Sequence, residues 1–146
     1  MAARKHLLLD TSCMIALVAA WHEHHDAVTQ AVEHYLEGRH RLAVAGHSLV
    51  EGYAVLTRLP APFRLAPDAA HALIDKNFAS LSVTTLTPSE YVALLGFVRE
   101  RGVAGGRSYD ALLALAAGKL APCVLLTLNA RHFSGLDTAG VTITVP

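Results

Sequence analysis

Neither sign of charge prevails in this chain: twelve Lys and Arg offset twelve Asp and Glu, and only 16% of the 146 residues are charged. A uniformly basic coat for nucleic acid is thereby excluded, as is the high net charge of a disordered segment, so any contact with a polyanion has to be local. The only cysteines are Cys13 and Cys123, each within an apolar stretch. Two are too few for a disulfide framework and fit buried free thiols of a reducing compartment, which makes the cytoplasm the expected location. Aromatic residues amount to 6%, too few to read a base-stacking platform from composition. No uncharged stretch approaches the roughly 18 residues of a transmembrane helix, so no membrane is expected as a partner. The opening "ARKH" followed by "LLLDTSCMIALVAA" imitates a signal peptide, but Asp10 interrupts its apolar run. Repeats, low-complexity tracts and linkers are also missing, so residues 1–146 read as a single domain. A chain of this size buries roughly 70% of the surface it exposes when unfolded.

What is present is an alternation of elements. Short apolar runs at His6–Leu9, Arg41–Ala45 and Pro122–Thr127 read as buried strands, with weaker candidates at Leu81–Leu86 and Val141–Val145. Helical patterns lie between them at Met14–Ala20, Asp26–Glu37, His47–Leu59, Pro67–Ala79, Thr87 to about Arg101, and Ser108–Leu120. "TPSE" at Thr87–Glu90 combines a capping box with proline at the first helical position, and "GVAGG" breaks the helix that follows. Continuous rather than alternating apolarity in the strands indicates an α/β fold: a parallel sheet of four or five strands flanked by helices on both faces.

In such a sheet ligands bind beyond the carboxyl ends of the strands, which draws attention to three acids. Asp10 closes the strand "HLLL" and opens "DTS"; it is either a helix cap or a site residue. Glu51 interrupts the apolar "HSLVEGYAVL", where it is either on an exposed stripe or held in a site that offsets its burial. Asp110 stands in the first turn of "SYDALLALAAGKL", where the helix dipole alone would favour it. Brought together at one end of the sheet, three carboxylates repel, and a hard divalent cation with oxygen ligands, magnesium or manganese, is the usual stabiliser.

These segments carry a resemblance. "LLLDTS", "HSLVEGYAVLTRLP", "GGRSYDALLALAA" and "LLTLNARHF" are similar, in order and spacing, to the four motif blocks of PIN-domain ribonucleases, especially the VapC toxins of bacterial toxin–antitoxin pairs. The resemblance implies an endoribonuclease that cuts RNA with metal-activated water, works as a homodimer and is silenced by a cognate antitoxin. It implies Asp10, Glu51 and Asp110 as catalytic, metal-binding acids (Mg2+ or Mn2+), with Ser12 or Thr127 as a supporting hydrogen bonder. The family often has a fourth acid in the last block, where this chain offers Asn129 and His132, with Asp137 a little beyond. That departure puts a second metal position in question and supports the alternative of a catalytically weak or inactive module that binds RNA or protein.

Other groupings compete less well. His22 and His25 of "HEHHD" would share a helical face, but no further ligands at zinc spacing accompany them. Basic residues gather loosely at Arg39 and Arg41, at Arg58 and Arg64, and at Arg99, Arg101 and Arg107; Arg107, near Asp110, is the first candidate for RNA phosphate. A phosphotransfer reading also starts from an Asp after the first strand, but its phosphatase form wants a second Asp where Ser12 stands.

Overall fold

The computed structural model describes residues 4–136 and 138–146; Asp137 lies outside the described residues. Five parallel strands form one sheet in the order β3-β2-β1-β4-β5, with β1 His6–Leu9, β2 Arg41–Ala45, β3 Ser82–Thr84, β4 Cys123–Leu126 and β5 Val141–Thr144. Strand β1 is central. Its Leu7, Leu8 and Leu9 are fully buried because both faces of the sheet are covered, which is why the sequence there is apolar without alternation.

Successive leucines serve opposite faces. Leu7 and Leu9 pack with Val44, Met14, Val28, Leu56 and Phe78 under helices α1 Thr11–Val18, α2 His25–Glu37, α3 Gly46–Arg58 and α4 Pro67–Ile74. Leu8 packs with Ala43, Ala45 and Leu125 under α5 Pro88–Glu100 and α6 Arg107–Gly118. Helix α6 presents Ala111, Ala114, Ala116 and Ala117 to this core. Their small side chains let the helix backbone approach closely. The capping box of α5 is formed: Thr87 Oγ1 accepts from Glu90 N, and Glu90 Oε1 accepts from Thr87 N at 2.8 Å.

Several element ends differ from the sequence expectation. Helix α1 begins at Thr11, three residues before Met14, because Asp10 caps it: its carboxylate accepts from Cys13 N at 2.9 Å. Thr, Ser and Cys are mediocre helix formers, so the sequence pattern understated a start that the cap and burial enforce. The segment Pro67–Ala79 is α4 followed by a π-helical turn at Asp75–Ala79. Helix α2 starts at His25, so His22 lies in the preceding turn and does not share a helical face with it; His25 instead hydrogen-bonds Ala16 O at 2.8 Å through Nδ1. Both cysteines are free and buried, and burial pushes both thiols up, Cys123 to about 11, which makes them inert packing groups. Among the described residues no helix is long and apolar enough to cross a membrane.

The connection from β3 to β4 carries the chain over α5 and α6 to the far side of β1. Strand order therefore reverses between β1 and β4, and the segments leaving their carboxyl ends diverge. A crevice opens at such a switch point.

Candidate active site

Asp10 is the first residue beyond β1 and sits at that crevice, 5% exposed. Its N–H donates to Leu126 O at 3.1 Å, which ties it to the end of β4. Its carboxylate is held from two sides. Oδ1 accepts from Ser12 Oγ at 2.6 Å and from Cys13 N; Oδ2 accepts from Thr127 Oγ1. The hydroxyls are themselves positioned: Ser12 Oγ accepts from Leu128 N at 3.2 Å, and Thr127 Oγ1 accepts from Asn129 N at 2.9 Å. Asp10 thus caps α1 and also lines the cleft, so capping does not take its carboxylate away from the crevice.

Glu51 reaches the same place from α3, which springs from the end of β2. Its Oε2 accepts from Thr11 Oγ1 at 3.2 Å and meets His47 Nε2 at 2.9 Å. Asp110 enters from the first turn of α6, its Oδ2 3.7 Å from His132 Nδ1. The three acids line one cleft of about 580 Å³ together with Ser12, Arg58, Arg107, Tyr109, Asn129 and His132.

The electrostatics agree with that convergence. Burial pushes the Asp10 carboxyl above its ordinary value, and the hydrogen bonds from Ser12, Thr127 and Cys13 pull back only part of the way. Burial also raises Asp110; His132 and Arg107 lower it, while the negative charges of Asp10 and Glu51 raise it further. Asp110 thus feels the negative charge of the other two acids across the cleft.

Among the described residues no three His, Cys, Asp or Glu side chains form a ready-made metal-holding group. The carboxylates face the cleft without closing into a ligand cage. That arrangement fits a hydrated hard cation such as magnesium, which takes oxygen ligands and keeps several of its waters.

Of the residues singled out from sequence, Ser12 and Thr127 both donate to Asp10, and Asn129 lines the cleft at the start of a 3-10 turn, Ala130–Phe133. Arg107 lines the cleft as well, but its guanidinium also donates to Ser134 O at 3.0 Å and His132 O at 3.4 Å. Sequence reasoning missed Thr11 and Tyr109, and it read His47 as an ordinary helix start. The His47 and Glu51 pair at i and i+4 was the available signal; nothing local marks Thr11 or Tyr109.

Comparison with known proteins gives concordant results. Residues 7–138 match the PIN domain. The chain is 41% identical over 122 residues to Ribonuclease VapC40 of Mycobacterium tuberculosis, an overlap of 84% of this chain and 85% of the relative. To Ribonuclease VapC27 of the same organism it is 37% identical over 140 residues, 95% and 96% of the two chains. Its fold is similar to VapBC2 from Rickettsia felis bound to a promoter DNA fragment, with TM-score 0.67, 15% identity and coverage of 95% and 97%. DNA-bound VapBC from Salmonella typhimurium gives TM-score 0.65, 20% identity and coverage of 96% and 97%.

Proposed function

Because the chain belongs to the PIN-domain family, among its VapC-type members, we propose that it is a divalent-metal-dependent endoribonuclease, the toxin of a toxin–antitoxin pair. The observation that carries this reading is the meeting of Asp10, Glu51 and Asp110, from three separate elements, on one cleft at the strand switch point. The names of the relatives at 41% and 37% identity, both ribonucleases, support the same reaction class.

In this reading Asp10, Asp110 and Glu51 hold a hydrated magnesium or manganese ion. Such a cation, when bound, supplies water activation and offsets charge on a phosphodiester. The chain's own groups do the rest. Ser12, Thr127 and Cys13 N fix the Asp10 carboxylate in one orientation, and Thr11 and His47 fix Glu51. Arg58 and Arg107 line the cleft as cations for the flanking phosphates of RNA.

A cognate antitoxin silences the cleft most directly with an arginine or lysine, which pairs with the carboxylates and competes with the cation. The VapBC structures with the same fold support an antitoxin as partner. Exposed apolar side chains on α3 (Val50, Tyr53) and α5 (Tyr91, Val92, Leu95) offer surface for that partner and for a homodimer.

The test is RNA cleavage by the purified chain with magnesium, with manganese and with neither. Asp10→Asn, Glu51→Gln and Asp110→Asn should each retain the fold by circular dichroism and lose at least about 100-fold in rate, since even outer-shell partners of a metal are worth 10–100-fold. Parent-like cleavage by all three variants would overturn the mechanism. RNA binding without cleavage under every metal condition would establish the binding-module alternative that Asn129 suggests.

A further inference from the structure

Composition argues against an aromatic platform, yet a single ring placed at the cleft is enough. Tyr109 immediately precedes Asp110 in the first turn of α6 and is the one Phe, Trp or Tyr among the described residues lining the cleft. Its ring stacks on the imidazole of His47 from α3, with centroids 4.9 Å apart and planes inclined by 14°. His47 is anchored in turn by its 2.9 Å contact with Glu51. Although one face is covered, Tyr109 remains 54% exposed. An aromatic ring backed on one face by another ring and still half exposed has lost part of the freedom that binding would otherwise have to remove.

We propose that the free face of Tyr109 stacks a nucleobase of single-stranded RNA next to the phosphodiester that is cut. This assignment rests on the ribonuclease reading above and deepens it by naming a residue that positions the substrate. The geometry supplies a direction: the base lies on Tyr109, the phosphate lies toward the acids, and Arg58, two turns beyond Glu51 on α3, faces the same cleft for a neighbouring phosphate. Every base has a π face, so stacking of this kind selects unpaired RNA over duplex while tolerating sequence.

The experiment uses short single-stranded RNA carrying 2-aminopurine at successive positions, titrated without divalent metal so that nothing is cut. With the parent, fluorescence at one position should be quenched on binding. Tyr109→Phe should keep the quench. Tyr109→Ala should lose it and weaken binding about 5- to 150-fold, the range for removing one base–aromatic stack. With metal, Tyr109→Ala should raise KM by a larger factor than it lowers kcat. An abasic site at the quenched position should make the parent bind like Tyr109→Ala. Parent-like quenching and affinity in Tyr109→Ala, or a loss in kcat alone, would overturn the assignment; the latter would mean that the ring acts only through His47 and Glu51. If the parent cuts RNA while Tyr109→Ala is indistinguishable from it, this inference alone fails. If the parent neither binds nor cuts RNA, the ribonuclease reading fails and takes the inference with it.

Discussion

The hydroxyl of Thr127 donates to Oδ2 of Asp10, joining the residues that immediately follow two adjacent parallel strands, β4 and β1. Two strand ends are thereby locked at the switch point, and the carboxylate is aimed before anything binds.

Thr127→Val keeps nearly the same shape and deletes that donor. A hydrogen bond to a charged group contributes about 1.5–3 kcal/mol. Manganese affinity, followed by calorimetry, should fall about 10–100-fold, as for other outer-shell groups that orient a metal ligand. Unchanged affinity would mean that Ser12 and Cys13 N alone suffice to orient Asp10.

Burial raises the Asp10 and Asp110 carboxyls above their ordinary value of 3.8. A carboxyl raised by folding binds its proton more tightly in the folded chain. The stability linked to that proton is fully present below the unfolded value and is lost as pH rises through the folded one. Tm of metal-free protein should therefore rise on mild acidification from neutral pH toward that value, and Asp10→Asn should flatten the rise. Added manganese should raise Tm at neutral pH and lose its effect in acid, because proton and cation compete for the same oxygens. A metal-free Tm that falls steadily over the same range would contradict the assigned burial effect.

Asn129 lines the cleft where the family often has an acid. Its amide oxygen is a ligand without a charge, so it offsets less of the repulsion between two divalent ions. Manganese titration of RNA-free protein should show one strong site per chain, and Asn129→Asp should strengthen a second. Two equally strong sites in the parent would show that another group supplies the missing charge.

Arg58 and Arg107 both line the cleft, but Arg107 also fastens α6 to the turn after β4 through Ser134 O and His132 O. Arg58→Gln should weaken RNA binding and flatten the slope of log affinity against log salt by about 0.7, the value for one phosphate contact on a single strand. Arg107→Gln should do the same and also lower Tm. An unchanged salt slope in both variants would place the phosphate contacts elsewhere.

Much of this architecture is legible in the residues themselves. Strands β1 and β2 were expected at His6–Leu9 and Arg41–Ala45, where they are found, because interior strands of a covered parallel sheet must be apolar on both faces. Edge strand β3 was expected over Leu81–Leu86 and pairs only over Ser82–Thr84, since the sheet neighbour on one side is missing and burial no longer dictates its length. Asp10 and Glu51 stood out as acids that end or interrupt apolar segments, a conflict that local physics registers before any fold is known, whereas Asp110 stood in a first helical turn that its charge suits.

The sequence by itself determined which segments become strands and helices and which carboxylates sit at odds with their surroundings, because periodicity, capping and burial preference act over a few residues. Only the tertiary structure decided what surrounds those carboxylates. Thr127 meets Asp10, Thr11 meets Glu51, and Tyr109 lies flat on His47, because the crossover from β3 to β4 brings α6 and the end of β4 beside β1 and α3. Contacts between residues so far apart in the chain leave no mark on local patterning; they exist only once the buried sheet has closed around its central strand.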